Sequence, residues 1–467
     1  MVQMNRRSFL QGAAAVSLGF AGLDLLCRTS GVTLAAATGN TGYGPLMPDP
    51  AGVLSLPEGF SYRIISRLGE VMDDGLLVPG MHDGMAALPG PDGKTIVVRN
   101  HEMQPTQTNE SPFGPDGRLM SKIDRSLLYD GETPCLGGTT TLVYDTKTGQ
   151  LDKHFLSLAG TIRNCAGGPT PWGSWITCEE SVTAKGNGFA ENHGYNFDVP
   201  ASVTPRLEKP VALKAMGRMN HEAIAVDPKT GIVYQTEDRG DGLIYRFIPN
   251  VAGKLAQGGK LQALALVDHA SADTFNYTNR DGSHRGLHIP VREALSVRWV
   301  DIENVEAPKD DLRFQGYGKG AARFARGEGM WYGNDSIFFA CTSGGSKRGG
   351  QVFRYVPSRF EGTPDEARFP GRLELYIEPD DRGVLDMADN LTIAPWGDVV
   401  ICEDGADEQF VVGVTPEGQV YKLAKNTISS SEFAGACFSP DGSTMFVNIQ
   451  KNGLTLAVTG PWGKRVS

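Results

Sequence analysis

The chain has 467 residues, which is enough for one large β domain or for two to three ordinary domains. It carries 54 acidic and 44 basic residues, and the resulting charge of −10 argues against nucleic acid as a partner, because a phosphate backbone binds basic surfaces. Divalent cations suit this acidic balance, although an ordinary soluble surface explains it equally well. The 59 glycines and 28 prolines indicate many turns and few helices.

Residues 1–37 have the pattern of a twin-arginine signal peptide. The sequence NRRSFL at 5–10 is followed by an apolar run at 12–26, which is too short and too polar to span a membrane. Small residues at 35–37 then suit signal cleavage. We expect the twin-arginine export machinery to deliver the chain to the periplasm or the medium, with no stable membrane anchor.

Six cysteines follow this segment: Cys135, Cys165, Cys178, Cys341, Cys402 and Cys437. An even number in an oxidising compartment permits disulfides, and the sequence has no CxxC pair or Cys/His zinc spacing. Disulfide pairing or inert burial is therefore the expectation for most of them.

A degenerate hairpin pattern recurs six times after residue 80. In each copy a short apolar strand leads through a turn into a second strand, and acidic residues stand at the ends opposite the turn. The copies span residues 82–102, 164–180, 220–238, 326–342, 388–404 and 432–450. Turns rich in Pro, Asp and Gly occur in any β-rich protein, but this alternative does not explain the acids at the strand ends.

Six hairpins of one pattern predict an all-β fold, namely a six-bladed β-propeller with loop insertions, formed as a single domain by residues 38–467. Further strand candidates between the copies would supply the outer strands of each blade. The long gap after the third copy, which includes residues 271–287, predicts an inserted segment that does not follow the repeat. Since the inner strands of a propeller line its channel, the acidic ends of all hairpins should converge on one mouth.

The residues expected at this mouth are Asp83, Glu102, Cys178, Glu179, Glu180, Glu222, Glu237, Asp238, Glu328, Asp389, Glu403, Asp404 and Glu432. Like charges at short range force protonation or the import of cations, so we interpret the set as a multinuclear metal site. Oxygen ligands suit calcium or magnesium, and the thiolate of Cys178 indicates a softer metal such as iron. For any single carboxylate, a solvated strand end is an equally good explanation.

Alternation along a strand allows at most one member of each adjacent acidic pair to point inward. The residues that we select as metal ligands are Glu102, Cys178, Glu179, Glu222, Glu237, Glu328, Asp389 and Glu432. Arg326 is the candidate for gripping a phosphate with two hydrogen bonds, although pairing with carboxylates is the commonest role of an arginine in such surroundings. Arg239 is a second candidate on the same argument.

Several of these stretches resemble the PhoX-type alkaline phosphatases. NCAGG at 164–168, TPWG at 170–173 and TCEE at 177–180 match the signature of that family, and the shorter matches lie at 100–102, 220–222, 326–329, 389–392 and 432–450. The resemblance covers essentially the whole mature chain. Two differences are a shorter chain and Gly327, where an Arg-Pro-Glu form is common in larger members.

The resemblance implies a six-bladed propeller that holds calcium ions and an oxo-bridged iron pair and hydrolyses phosphate monoesters of small molecules. By motif, Cys178 would bind iron and act in catalysis, Glu222 and Glu328 would bind metal, and Arg326 would be a catalytic residue that contacts the substrate phosphate. Two alternatives stay open at this stage. One is a calcium-dependent lactonase or esterase propeller, and the other is a non-catalytic propeller whose metals stabilise a binding surface.

Overall fold

The computed structural model describes residues 42–131, 135–279 and 281–465. The described residues belong to one compact unit, and none of their helices is long and apolar enough to cross a membrane. The signal peptide predicted at 1–37 lies outside the described residues. The prediction of an all-β propeller is confirmed by the strands and by the way they pair.

The strands of the first half are β1 (Leu46–Met47), β2 (Leu54–Pro57), β3 (Ser61–Arg67), β4 (His82–Pro89), β5 (Lys94–His101), β6 (Gly137–Asp145), β7 (Gln150–Thr161), β8 (Asn164–Pro169), β9 (Ser174–Glu179), β10 (Asn196–Pro200), β11 (His221–Val226), β12 (Val233–Glu237), β13 (Ile244–Pro249) and β14 (Gly259–Leu266). The second half contains β15 (Ala294–Asp301), β16 (Gly327–Gly333), β17 (Ser336–Cys341), β18 (Gln351–Val356), β19 (Arg372–Ile377), β20 (Ala388–Ile393), β21 (Val399–Glu403), β22 (Phe410–Val414), β23 (Val420–Asn426), β24 (Phe433–Phe438), β25 (Thr444–Ile449) and β26 (Leu454–Thr459).

Helical structure is confined to short segments between strands. The α-helix α1 spans Leu312–Gly318, and 3-10 turns occupy Pro91–Gly93, Thr108–Glu110, Arg118–Lys122, Arg125–Leu127, Lys214–Met216, Leu255–Gln257 and Pro364–Arg368.

Each hairpin predicted from the sequence forms the two innermost strands of one blade. The inner strands β4, β8, β11, β16, β20 and β24 contact one another in this order, and β24 contacts β4, so the ring is closed. Antiparallel strands extend each blade outward, and β15 bridges the outer edges of the third and fourth blades by pairing with β14 and β19. The last blade is completed by β3, which pairs with β26 and so joins the two ends of the described chain.

The strands are buried on both faces because neighbouring blades pack face to face. Their β-branched and aromatic residues therefore form several apolar clusters between blades rather than one central core. In the fourth blade the rings of Phe339 and Phe353 stack with centroids 5.3 Å apart, and Phe324 packs edge-on against both. This packing holds the inner strands firmly around the axis.

Every inner strand has an irregular register near its first residues. The shifts lie between His82 and Met85, Asn164 and Gly167, His221 and Ile224, Gly327 and Met330, Ala388 and Leu391, and Ala434 and Cys437. A β-bulge of this kind bends the strand and redirects the side chains beside it. The same irregularity in all inner strands therefore shapes one end of the channel.

Small residues at these bulges close the channel. A Cβ atom added to Gly84 would lie 2.6 Å from Ala166 Cα, and one added to Gly329 would lie 2.6 Å from the backbone nitrogen of Leu391, so only glycine permits the close approach. The space left between the strands here is about 10 Å³, barely the volume that one water molecule needs. The mouth above the bulges is therefore a blind cavity.

Candidate metal centre

A polar cavity of about 250 Å³ lies at the mouth of the ring. Its lining residues are Met81, Asp83, Glu102, Gln104, Gln107, Arg163, Cys165, Glu180, Asp238, Arg326, Glu328, Asp389, Asp404, Glu432, Gln450 and Lys451. Carboxylates far outnumber the three cationic side chains, so the cavity is strongly negative if its acids are ionised.

The acidic residues occupy equivalent positions in successive blades. The second residue of the inner strand, directly before the bulge, is Asp83, Cys165, Glu222, Glu328 or Asp389 in the first five blades, and Ala434 in the sixth. The residue directly after the second strand is Glu102, Glu180, Asp238, Thr342, Asp404 or Gln450 in chain order. The bulged hairpin thus delivers one or two polar side chains from each blade to the same place.

Glu222 is the most unusual of these residues. Its side chain is completely buried, and neither carboxylate oxygen has a hydrogen-bond partner. Burial raises the pKa of Glu222 well above its usual value, and the nearby Glu180, Asp389 and Asp83 charges raise it further. An ionised carboxylate without a partner in such a position is very costly, and a bound cation would remove that cost.

The potential ligand atoms form a continuous series around the cavity. Four groups of three have all their ligand atoms within 4.8 Å of one another: Asp83, Glu102 and Cys165; Cys165, Glu180 and Glu222; Glu222, Glu328 and Asp389; and Asp389, Asp404 and Glu432. Each group shares one member with the next. This arrangement can hold several cations side by side, because the shared residues can bridge neighbouring ions.

Burial, together with electrostatic repulsion within the series, raises the pKa values of its members. Burial raises the pKa of Asp389 to about 7, with a further contribution from the charge of Asp404. Burial likewise raises the pKa of Glu328 and Glu432 well above the ordinary range. Without cations, these groups keep their protons at a pH where free carboxyl groups are ionised.

Two arginines enter the cavity from equivalent positions. Arg163 and Arg326 each stand directly before an inner strand, with positive φ angles of 48° and 59°. The Nε and Nη2 atoms of Arg163 donate to Glu102 at 2.8 and 2.6 Å, and Nη2 also donates to Glu180. Those of Arg326 donate to Asp238, both at 2.9 Å, and Nη2 also donates to Glu328 at 2.6 Å.

The remaining nitrogen of each guanidinium is unoccupied. In the described part of the chain, Nη1 of Arg163 and Nη1 of Arg326 have no hydrogen-bond partner, and the side chains are 32% and 34% exposed. Carboxylates thus hold both groups in fixed orientations while one donor edge stays available. Such an edge suits an anionic oxygen such as that of a phosphate.

Most residues selected from the sequence lie at this site. Glu102, Glu328, Asp389, Glu432 and Arg326 line the cavity, and Glu222 lies within ligand distance of them. Arg239 does not line it, because its Nη2 donates to Asn220 and Asp310, both at 3.1 Å.

Three selected residues are placed elsewhere, which corrects the sequence analysis. Cys178 is fully buried in an apolar cluster with Ile224 and other residues of the second and third blades. Glu179 accepts hydrogen bonds from His193 and from the backbone of its own blade. Glu237 accepts from the Tyr245 hydroxyl at 2.9 Å and the Leu243 backbone at 3.2 Å. Alternation along the strand places Glu179 and Glu237 on the face opposite to Glu180 and Asp238. Cys178 shares its face with Glu180 but lies two residues further from the end of the strand, inside the apolar cluster.

The residues that replace them are Cys165, Glu180 and Asp238. The thiol of Cys165 lies 3.9 Å from Asp83 and belongs to two of the ligand groups. Arg163 was also missed. The signal for Cys165 is positional, since it is the second residue of its inner strand, where the neighbouring blades carry acids.

The alkaline phosphatase PhoX family matches residues 41–453, and no curated protein matches. The fold is similar to that of Pseudomonas fluorescens PhoX in complex with vanadate, a transition state analogue, with a TM-score of 0.65 and 17% identity over 90% of this chain and 98% of that chain. A gluconolactonase from Xanthomonas campestris gives a TM-score of 0.38 and 12% identity over 90% and 98% of the two chains.

Proposed function

We propose, on the premise that this chain belongs to the alkaline phosphatase PhoX family, that the cavity is the active site at which phosphate monoesters of small molecules are hydrolysed. The chain is a phosphatase by family. The observation that carries the assignment of the site is the combination of the unpaired, buried carboxylate of Glu222 with two arginines that each keep one donor edge free.

The donor set fits calcium and iron. The cavity offers many carboxylate oxygens, which calcium prefers, together with the one thiol of Cys165, which suits iron. We assign Glu222, Glu328 and Asp389 to one part of the metal centre and Asp83, Glu102 and Cys165 to another. Bound there, the ions would supply Lewis acidity and offset the negative charge of the phosphoryl oxygens.

The arginines position the phosphate. Arg163 and Arg326 stand on the second and fourth blades, so their free Nη1 atoms can donate to phosphoryl oxygens from two sides of the cavity. Glu102 and Asp238 fix the orientation of these guanidinium groups before substrate enters. Donors that are already oriented stabilise charge in the transition state without reorganisation, which is the largest single contribution in many enzymes.

The closed bottom and the open entrance of the cavity determine how the substrate is oriented. Because the bulges close the channel, the phosphoryl group lies at the bottom of the cavity and the alcohol part of the ester points outward. Gln107 and Lys451 line the entrance, where the leaving group would pass. This arrangement places few demands on the alcohol and suits a broad range of monoesters.

The test is phosphate release by the purified, metal-loaded full chain from a chromogenic monoester, with a lactone as the alternative substrate. We expect release of phosphate, and a loss of it when Arg163 and Arg326 are both replaced by Met. Arg239→Met is the matched control, because this arginine lies outside the cavity lining. Hydrolysis of the lactone alone, or of neither compound, would contradict the proposal.

We also propose that the chain is exported by the twin-arginine machinery to the periplasm or the medium. The support is the NRRSFL pattern at 5–10 and the apolar run that follows it. Fractionation of cells that produce the full chain tests this. Replacement of Arg6 and Arg7 by Lys should leave the protein in the cytoplasm, and export of that variant at the normal level would contradict the proposal.

A further inference from the structure

A second group of potential metal ligands lies outside the cavity lining, between the first and second blades. Asp130 and Cys135 precede β6, and His193 precedes β10. All three side chains are buried, and one ligand atom from each lies within 4.8 Å of the others. His193 Nε2 is 3.6 Å from Asp130 Oδ2 and 3.9 Å from Cys135 Sγ.

The other side of the imidazole is held by Glu179. Its Oε1 accepts from His193 Nδ1 at 2.6 Å and from the Ile162 backbone at 2.9 Å, and its Oε2 accepts from the Gly194 backbone at 2.9 Å. Because a carboxylate oxygen accepts, the imidazole presents Nδ1–H to Glu179, and its other nitrogen, Nε2, faces Asp130 and Cys135. In the neutral form of the ring, Nε2 carries the lone pair that a metal ion would use. Metal-binding histidines in proteins have this carboxylate arrangement behind them.

The distance between His193 and Asp130 favours a shared ion over a direct hydrogen bond, and the Ala190 and Glu191 backbone N–H groups orient Asp130 Oδ2 from 2.8 and 3.1 Å. A separation of 3.6 Å between Nε2 and Oδ2 is too long for a good hydrogen bond. In a tetrahedral zinc site, bonds of about 2.0 Å to nitrogen or oxygen and about 2.3 Å to sulfur hold two ligand atoms roughly 3.3–3.6 Å apart. The observed separations of 3.6 and 3.9 Å are each longer than these values by about 0.3–0.4 Å, so a small approach of the side chains would bring the three atoms onto one ion.

The surroundings suit a closed site. The rings of Tyr129 and Phe189 pack edge-on against the His193 imidazole, with centroids 5.4 and 5.8 Å away. The donor set of one thiol, one imidazole and one carboxylate also differs from the oxygen-rich cavity, and it selects zinc over calcium. All cysteines in the described ranges are free, so Cys135 is not committed to a disulfide.

We propose that Asp130, Cys135 and His193 bind a structural zinc ion that links the first two blades. The thiol proton of Cys135 is released when the ion binds, as zinc ligation by cysteine requires the thiolate. Glu179 then acts as the group that orients His193, which explains why an acid next to the cavity turns away from it. The inference stands independently of the proposed phosphatase site.

Zinc analysis of the purified full chain, produced with zinc, iron and calcium in the medium, tests the proposal. We expect one zinc ion per chain, with one sulfur neighbour in the zinc-edge X-ray absorption spectrum. Cys135→Ser should lose this zinc and keep the iron and calcium of the cavity. The matched control is Cys437→Ser, a buried cysteine of the sixth blade, which should retain the zinc.

The absorption spectrum of the unaltered chain can overturn the proposal even where Cys135→Ser fails to fold. Absence of zinc from this chain, or zinc without a sulfur neighbour, would overturn the proposal. Retention of zinc by a folded Cys135→Ser variant would do so as well. Each of these results would leave His193 as a protonated imidazole held between Glu179 and Asp130.

Discussion

Three pairs of adjacent acids, at 179–180, 237–238 and 403–404, show the difference between carboxylates that lie inside a blade and carboxylates that line the cavity. The first member of each pair is buried within its blade and bound by its own neighbours, as Glu403 is by the Asp386 and Phe410 backbones and by Lys422. The second member lines the cavity. Two acidic residues that are adjacent in the chain therefore have different roles, since the first binds groups of its own blade and the second faces the cavity.

The pKa values do not distinguish the two regions. Burial raises the pKa of Glu237, a blade residue, to about 7, as it does for Asp389 in the cavity. Glu237 is nevertheless surrounded by donors of its own blade, whereas neither oxygen of Glu222 has a donor. Glu237 therefore stabilises its blade, and Glu222 is available to a cation.

The largest expected contrast is between Glu222→Gln and Glu179→Gln. Glu222→Gln should lose cavity metal and reduce kcat/KM by about 10³-fold, because a ligand has been removed from the centre. The metal-free form should fold as well as the unaltered chain, since the replaced carboxyl group makes no hydrogen bond. Melting curves, metal content and phosphatase activity measure all three.

Glu179→Gln should show the reverse. It should keep the cavity metals but lower the free energy of unfolding by about 2–3 kcal/mol, because the buried donors that bind Glu179 lose one of its two acceptor oxygens. Equal effects of the two variants on metal content would contradict the distinction between carboxylates that bind the cavity metals and carboxylates that stabilise the blades.

A second contrast uses two cysteines. Cys165→Ser should remove iron and lower activity by about 10²–10³-fold, whereas Cys178→Ser should keep iron and lower the free energy of unfolding by about 1–3 kcal/mol, because it puts a hydroxyl into an apolar cluster. Iron content of the two purified variants is the measurement. Loss of iron from Cys178→Ser alone would restore the assignment made from the sequence.

The arginines allow a finer comparison within the cavity. Arg163→Lys and Arg326→Lys should each lower kcat/KM by about 10²-fold, since lysine cannot hold two carboxylates and a phosphate oxygen at once. The effect should appear mainly in kcat when the arginine serves the transition state. If only one of the two variants loses activity, only one of the arginines binds the phosphate. The two residues would then have equivalent backbone positions but different roles.

The smallest effect concerns pH. In the metal-free protein the raised pKa of Asp389, about 7, means that the native state keeps a proton that the unfolded chain has released. Stability should therefore fall as pH rises from about 4 to 7, by linkage. Melting temperatures in chelator should decrease across this range, and calcium and iron should weaken the trend. A flat profile in chelator would show that the cavity acids do not interact as their spacing requires.

The propeller and the position of its mouth were predictable because turns and apolar strands recur in the sequence. The choice between adjacent acids was not, because it depends on a bulge that shifts the register of the inner strand, and a shift of one residue turns every side chain to the other face. Cys178 attracted attention through its acidic neighbours, yet Cys165 holds the position equivalent to Glu222 and Glu328. Aligning the copies by strand position would have identified Cys165 and Arg163.

The pairing of β3 with β26 sets an order of assembly for the site. Candidate ligands come from blades along the whole chain, and the ring closes only when the last strand finds a partner near the other end of the sequence. Contacts of such long range form slowly, because the loop between them must first be closed. Cations therefore meet a complete set of ligands only after β26 has paired with β3.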